Sequence, residues 1–217
     1  MARMYVPKQF APIGGDASRT LIEQRPFATF VTVEGGEPFA THLPLLFHAD
    51  GSTHGVLFGH VARANPQWRH FDDGRHAMAV FNGPHAYVSP RWYTTEGQVP
   101  TWNYAVVHAY GTPRVVADDR ARNVIEQIVA RFENDQPQPW TMDGLGEEDI
   151  SSMLRAIVVF EMPIDRLEGK WKVGQNRESV DRTSAADHLD ASGDPDAMVI
   201  AGWMRDTLRA SPGSPRR

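Results

Sequence analysis

The first half of the chain consists of short runs of β-branched and aromatic residues, and turn-forming residues separate the runs. Residues 28–33 (ATFVTV) form the first run, residues 34–38 (EGGEP) break it, and residues 39–47 (FATHLPLLF) continue the pattern. Runs of this length between turn residues are typical of β-strands, and the first two predict a hairpin. Because long helices do not fit between such closely spaced turns, we expect a β-rich fold.

Further apolar runs predict four more strands. They lie at residues 55–60, 76–81, 104–116 and 157–162. The sequence NGP at 82–84 is expected to end the strand at 76–81. Six strands in a mainly antiparallel order suit a small, closed or partly open barrel.

Helices are predicted beside these strands. Asn65 and Pro66 have the residue types of an N-cap and a first helical position, which predicts a short helix over residues 64–71. From Asp118 as the expected N-cap, apolar residues recur at helical spacing until Asn134, and residues 196–209 predict a terminal helix. We therefore expect one α+β domain, mainly β, over residues 1–210, with a disordered polar tail at 211–217.

The composition excludes several classes of function. Lys and Arg number 22 against 27 Asp and Glu, a net charge of −5, so the chain lacks the positive field of a typical nucleic-acid-binding domain. The absence of cysteine excludes disulfides, thiolate metal sites and cysteine nucleophiles. Nothing resembles a signal peptide or an apolar run able to span a bilayer, so we expect a cytoplasmic protein with no membrane partner.

The common catalytic motifs are absent as well. The sequence has no phosphate loop, no dinucleotide-binding fingerprint, no H-E-x-x-H zinc motif and no G-x-S-x-G nucleophile turn. No residue presents itself as a general base, so catalytic residues, substrate and electron donor all remain unknown at this level.

Two kinds of polar run could still hold a ligand. Residues 59–68 (GHVARANPQW) pass from a strand into a helix, where Arg63 could bind a phosphate or propionate, although a capped turn with a solvated arginine explains the run equally well. Residues 83–93 and 99–104 combine rings with polar tips, which suits a planar conjugated cofactor or, equally, a rigid loop that closes one end of a barrel.

The most basic segment of the chain is residues 167–177 (LEGKWKVGQNR). It could bind phosphate or nucleic acid, but a short charged run is more often a solvated face. Among the nine histidines, His60 and His85 lie beside the runs above and are candidates for an axial haem ligand, for which one histidine suffices.

Six runs, taken in order, closely resemble the PaiB family, whose members are usually described as FMN-binding negative transcriptional regulators. The runs are MYVP at 4–7, ATHLP at 40–44, GHVARANPQW at 59–68, GPHAYVS at 83–89, PTWNY at 100–104 and KVGQNR at 172–177. The resemblance covers nearly the whole chain. It implies a six-stranded antiparallel split β-barrel with flanking helices, of the flavin-reductase and pyridoxamine-phosphate-oxidase type.

The resemblance also implies a homodimer with two FMN sites in its interface. Thr41, His42 and Leu43 would then line the flavin, and Arg63 and Asn65 would hold its phosphate. The other cofactor-binding residues that we predict are His60, His85, Tyr87, Trp102, Asn103, Lys172 and Gln175, of which the last four would approach from the partner or close the site. One departure is that residues 172–176 read KVGQN where KLSQN is expected, so a serine hydroxyl is missing.

Two alternatives remain open for the function. Piperazate synthases, which resemble the same family, bind haem and form an N–N bond from N5-hydroxyornithine, and here His60 would be the axial ligand. The other alternative is a DNA-binding repressor without catalysis that reads DNA through residues 170–182. The acidic net charge and the absence of a helix-turn-helix pattern argue against the repressor.

Overall fold

The computed structural model of the protein describes residues 3–71 and 74–209, and the tail predicted at 211–217 lies outside them. The strands are β1 (Phe27–Glu34), β2 (Glu37–Pro44), β3 (Leu46–His48), β4 (Val56–Ala62), β5 (Ala77–Val88), β6 (Thr101–Gly111), β7 (Arg114–Val115) and β8 (Ile157–Lys172). The α-helices are α1 (Ala17–Gln24), α2 (Asp118–Glu133), α3 (Glu147–Arg155), α4 (Ser179–Ala191) and α5 (Pro195–Arg209). Short 3-10 helices lie at Lys8–Phe10, Pro66–His70, Pro90–Trp92 and Met142–Gly144.

The first two strands form the predicted hairpin. β1 and β2 pair antiparallel from Phe27↔Pro44 to Glu34↔Glu37. The two residues between Glu34 and Glu37 are Gly35 and Gly36, with φ of +58° and +89°. A hairpin turn of type I′ needs positive φ at both central residues, which glycine adopts without strain.

The sheet contains eight described strands rather than the predicted six. Their order is β2-β1-β5-β6-β8-β4-β3, and β7 pairs with β8. The run at 39–47 is divided at Leu45, whose amide donates to the Pro26 carbonyl (2.9 Å) beyond the end of the hairpin ladder. The run at 104–116 is divided between β6 and β7 near Pro113, which lacks an amide donor.

Two strands are longer than the sequence predicts. β5 does not end at Asn82-Gly83-Pro84 but continues to Val88. β1 pairs with β5 only through Met78–Val80, so the proline lies beyond that ladder and removes no hydrogen bond to β1. β8 continues through Lys172, so much of the basic run at 167–177 is strand.

The helix starts match the predictions in part. Asn65 is the N-cap of Pro66–His70, as predicted, but that segment is a 3-10 turn. The prediction of Asp118 as the N-cap of α2 is wrong, because Ala117 occupies that position without a side-chain bond. Asp118 is instead the first helical residue, where its charge favours the positive end of the helix dipole. The sequence reading did not predict α1, α3 or α4.

The chain divides into two compact units. The helical unit comprises the described parts of Met1–Ser18, Asn82–Val107 and Glu168–Arg217, and the sheet unit comprises Arg19–Phe81 and His108–Leu167. In the helical unit, α4 and α5 bury Leu189, Ile200 and Met204 against Val88 and Val173. In the sheet unit, α2 covers one face of β4 and β8; this core consists of Val56, Phe58, Val116, Ala121, Val124, Ile128 and Val159.

A buried polar cluster stabilises the Pro66–His70 turn within the sheet unit. His70 is buried, and its Nδ1 lies 2.9 Å from Thr32 Oγ1 while its Nε2 lies 2.7 Å from Glu34 Oε2. Gln67, also buried, donates from Nε2 to the Phe30 carbonyl at 3.1 Å. These partners make His70 a structural residue.

Across the described ranges, no helix has both the length and the apolar character needed to cross a membrane.

Candidate functional site

Asn65 links the 3-10 turn to strand β2. Its Oδ1 accepts from the Gln67 amide (3.0 Å), and its Nδ2 donates to Thr41 Oγ1 (2.9 Å). The structure therefore brings together two of the residues predicted to bind the flavin. On β2, Thr41 is half-buried and Leu43 is buried, whereas His42 is exposed on the opposite face, as strand alternation requires.

Arg63 makes structural contacts at the end of β4. Its Nε donates to the Arg155 carbonyl (2.7 Å) and its Nη2 to the Ile157 carbonyl (2.8 Å), where α3 meets β8. A guanidinium has five N–H groups, so these two bonds leave donors for an anion. Arg63 also lines a cavity of about 270 Å³ together with Ser151 and Arg155. The predicted role in phosphate binding is thus compatible with this geometry and stays a prediction.

His60 lies on β4, opposite Val159 of β8. Its side chain is half-buried, and burial lowers the pKa of the imidazole. A histidine with a lowered pKa is neutral at pH 7, which is the form that ligates a metal. The described residues contain no cluster of three or more His, Asp or Glu side chains placed to hold a metal ion, so a metal here would depend on a cofactor for its other ligands.

In the helical unit, His85, Tyr87 and Trp102 form an exposed set of rings that we call the aromatic face. The His85 and Trp102 ring centroids are 5.6 Å apart, and those of Tyr87 and Trp102 are 6.1 Å apart. Trp102 is 53% exposed and Tyr87 is 44% exposed. Strand alternation produces this arrangement, because the intervening Ala86 is buried while its neighbours point outward.

Lys172 lies beside the aromatic face at the end of β8. Its ammonium group donates to Thr101 Oγ1 and to the Trp102 carbonyl, the latter at 2.7 Å. Both of these partners are uncharged. Burial lowers the pKa of Lys172, and the positive charges of Lys170 and Arg177 lower it further. The ammonium group is therefore a positive charge that an approaching anion would stabilise.

Asn103 and Gln175 point into the protein. Asn103 is buried, and its Nδ2 lies 3.5 Å from Met204 Sδ. Gln175 spans the turn after β8: its Oε1 accepts from the Val173 amide (2.8 Å) and its Nε2 donates to the Trp171 carbonyl (2.6 Å). In the same turn Gly174 has φ +79°, a conformation that disfavours the serine expected there. The Gln175 bonds fix the end of β8, and cofactor binding by Asn103 or Gln175 remains a prediction.

Two further cations act on Lys172, namely Lys170 and Arg177, and each lies over an aromatic ring; these cation–ring contacts were not predicted from the sequence. Lys170 Nζ lies 5.4 Å from the Tyr5 ring and 5.6 Å from the Tyr104 ring. The Arg177 guanidinium lies 5.2 Å from the Tyr93 ring, and Arg177 also donates to Gln98. Charged and uncharged residues alternate along residues 168–172, and this strand-like period of two could have shown that Lys170 and Lys172 lie on the same face.

Comparison with known proteins agrees with the resemblance seen in the motifs. Residues 4–166 match the family described as "Putative FMN-binding domain". The chain is 34% identical over 206 residues to "Protease synthase and sporulation protein PAI 2" of Bacillus subtilis, covering 95% of this chain and 99% of that protein. It is 29% identical over 203 residues to an uncharacterised Emericella nidulans protein, with coverage of 77% and 81%.

Solved structures share the fold at low sequence identity. The "FAD and Heme binding protein" of Mycobacterium smegmatis aligns with a TM-score of 0.55 and 20% identity, over 70% of this chain and 68% of that chain. The flavocytochrome Anf3 of Azotobacter vinelandii aligns with a TM-score of 0.60 and 13% identity, over 79% and 74%. The predicted split-barrel class, an antiparallel sheet with flanking helices, is confirmed apart from the strand count.

Proposed function

The chain belongs to this FMN-binding family, and on that premise we propose that it is a PaiB-like flavoprotein that holds FMN against the aromatic face of the helical unit. The observation that carries this proposal is that His85, Tyr87 and Trp102 are exposed beside an ammonium group, Lys172, whose hydrogen-bond partners are both uncharged.

The chemistry of these residues fits the two parts of FMN. The isoalloxazine ring is planar and stacks on aromatic side chains, and the exposed surface of Trp102 and Tyr87 offers such contacts. The phosphate is an anion, and charge-assisted hydrogen bonds from lysine or arginine favour it. Lys172 on this face retains a donor for that purpose, and so does Arg63, which the partner subunit would supply in the shared sites proposed below.

When bound, FMN supplies electron transfer, and the protein residues bind it, orient it and shield it from water. The Bacillus subtilis relative is named a protease synthase and sporulation protein, and we propose a regulatory use of the flavin in this chain. A mobility-shift assay with and without FMN tests that use: direct DNA binding requires an affinity that falls with salt and with Lys172→Ala.

The FMN site is tested by comparing FMN retention in a variant of the aromatic face and in a control variant. The purified protein is mixed with FMN, unbound FMN is removed, and the retained flavin absorbance is measured. Trp102→Ala is expected to lower the affinity about fivefold to 150-fold, because base-like stacking contributes roughly 1–3 kcal/mol. Trp140→Ala, at a tryptophan of similar exposure in the sheet unit, is the matched control. Equal FMN retention in the two variants would show that the aromatic face is not part of the FMN site.

We also propose that the protein is a homodimer whose two sites each use residues of both subunits. Arg63→Glu in one copy and Lys172→Glu in the other, each with its own affinity tag, allow mixed dimers to be isolated. If the sites are shared, each mixed dimer has one intact site and one doubly altered site, so it retains about half of the wild-type flavin.

The same experiment distinguishes shared sites from sites within one chain and from a monomeric protein. Mixed dimers without flavin would mean that each site is confined to one chain, and a monomer in sedimentation analysis would refute the dimer. Each single-variant homodimer is measured in parallel, because both must lose flavin for the mixed result to be meaningful. Circular dichroism on Arg63→Glu checks that loss of its bonds to the Arg155 and Ile157 carbonyls has not unfolded the protein.

A haem-dependent enzyme of the same fold is the second candidate, and His60 favours it. Burial keeps the imidazole neutral at pH 7, and one structural neighbour is named for binding both FAD and haem. The test is addition of haemin to the purified protein, followed by removal of the unbound fraction. A retained Soret band that shifts in His60→Ala but not in His42→Ala supports His60 as the axial ligand, and an unchanged band rejects it.

A further inference from the structure

The sheet unit contains a cleft whose lining includes none of the residues predicted to bind the flavin. It lies between α2 and the sheet and has a volume of about 380 Å³, within the usual range for a small-molecule site. Its lining residues are His48, Asp50, Val56, Phe58, Arg114, Arg120, Asn123, Val124, Gln127, Glu161 and Pro163. The cleft is also distant from Arg63: Phe58 on β4 is five residues before Arg63, which directly follows the strand, and this corresponds to roughly 16 Å at the rise of a strand.

Strand register determines which side chains meet in this cleft. Glu161 of β8 lies opposite Phe58 of β4 on one side and opposite Arg114 of β7 on the other. One cross-strand row therefore places an arginine, a carboxylate and a phenyl ring side by side. Val124 of α2 packs in the same core as Phe58, so the cleft has an apolar wall next to its charged end.

The charged end has more positive charge than its carboxylate can balance. Glu161 is only 6% exposed, and it accepts from Arg114 Nε at 2.6 Å and from Arg120 Nη2 at 3.2 Å. One arginine would neutralise this buried carboxylate, and the second is then a positive charge at this end of the cleft. The other carboxylate of the lining, Asp50, accepts from the Ser52 amide (3.0 Å) and balances the formal charge of the lining as a whole. Each guanidinium uses one of its five N–H groups in these bonds, and both side chains are more than half exposed.

We propose that this cleft binds a small organic monocarboxylate, with its carboxylate on Arg114 and Arg120 and its apolar body against Phe58 and Val124. Arginine N–H groups match the planar carboxylate geometry, and the apolar wall favours a ring or branched chain. Asp50 also lines the cleft and repels a second anionic group, which selects a monoacid over a diacid.

Phenylacetate is the probe, and phenylacetamide is its uncharged isostere. Binding is followed by amide chemical shifts of the full-length protein during titration to about 10 mM, since a fragment of this size is expected to bind with a Kd of about 1 mM. The expected result is saturable shifts at residues of the cleft for phenylacetate and at least tenfold weaker binding for phenylacetamide.

Two variants at one exposed helix position locate the binding. Asn123→Trp fills the cleft from α2 and is expected to abolish phenylacetate binding, whereas Asn123→Ala leaves the cleft open and is expected to retain it. Gln127→Trp replaces the first variant if that one does not fold. The proposal is overturned by equal binding of acid and amide, by binding that survives the tryptophan, or by no saturable shifts. None of these readouts depends on FMN.

Discussion

A single buried carboxylate, Asp181, attaches α4 to the loop that leads into β6. Its Oδ1 accepts from the Thr94 amide (2.7 Å), the Thr94 hydroxyl (3.0 Å) and the Thr95 amide (3.0 Å), and its Oδ2 accepts from the Thr95 hydroxyl (2.5 Å). Asp181 also lies in the first turn of α4, where the helix dipole favours a negative charge. We expect substitutions here to destabilise the helical unit strongly.

The magnitude follows from the number of bonds lost. Asp181→Ala removes all four, and each bond to a charged acceptor contributes about 1.5–3 kcal/mol. Because the exposed Thr94 can turn to water, we expect a loss of about 3–5 kcal/mol of unfolding free energy rather than the full sum. Asp181→Asn keeps one oxygen acceptor and is expected to cost about 1–2 kcal/mol.

Urea unfolding at constant m-value measures these differences as shifts of the transition midpoint. Asp187→Asn on the same helix is the matched control, because its ion pair with Arg205 is exposed and contributes below about 1 kcal/mol. If Asp181→Ala loses no more unfolding free energy than Asp187→Asn, the reasoning is refuted.

The pH dependence provides an independent check on the same residue. Burial alone would raise the pKa of Asp181, but hydrogen bonds from Thr95 and Thr94 outweigh it and hold the pKa below its ordinary value of 3.8. The stabilisation is therefore complete above that value and is lost as pH falls through the folded-state pKa. The difference in unfolding free energy between the wild type and Asp181→Asn should therefore become smaller as the pH falls below this pKa. A difference that stays constant with pH would contradict this account.

Three further predictions concern the candidate site and the core. FMN affinity should fall as pH rises through the lowered pKa of Lys172, and Lys172→Met should remove that pH dependence in a fluorescence titration. Gly59→Ala should cost about 1–3 kcal/mol in urea unfolding, since its Cβ would lie 2.6 Å from Leu45 Cδ2, whereas Gly202→Ala, with open space around it, should stabilise by about 0.5–1 kcal/mol. Arg63→Ala should lower both stability and FMN retention, and Arg63→Lys should restore little of the stability, because lysine lacks the two-pronged geometry with which Arg63 donates to the Arg155 and Ile157 carbonyls.

The parts of the fold that the sequence predicts are those fixed by local chemistry. Two glycines between strand-forming runs determine the β1–β2 hairpin, and Asn65 before Pro66 determines the start of a turn. α4 was missed because its buried residues produce little hydrophobic periodicity: two are charged, two are alanine, and only one is a large apolar residue, namely Asp181, Arg182, Ala185, Ala186 and Leu189. The burial of this helix depends on packing against α5, a contact that no local pattern reveals.

The candidate site was predictable as a set of runs but not as an arrangement. Ring-rich segments at 83–93 and 99–104 are visible in the sequence, yet the pairing of His85 and Tyr87 with Trp102 depends on strands β5 and β6 lying side by side. Arg63 was selected as a positive charge beside a predicted helix start, and its structural bonds to two carbonyls follow from the distant α3–β8 junction.

The basic run at 167–177 shows how one observation about register changes an interpretation. Read as a charged stretch, it indicates a solvated face, but as part of β8 its side chains alternate. Trp171 is 2% exposed and lies against Trp203, so its neighbours Lys170 and Lys172 must both point to the opposite face. A shift of one residue would bury both ammonium groups and expose the indole. The burial of Trp171 therefore fixes the register, and the register places Lys170 over the Tyr104 ring and Lys172 beside the Trp102 carbonyl.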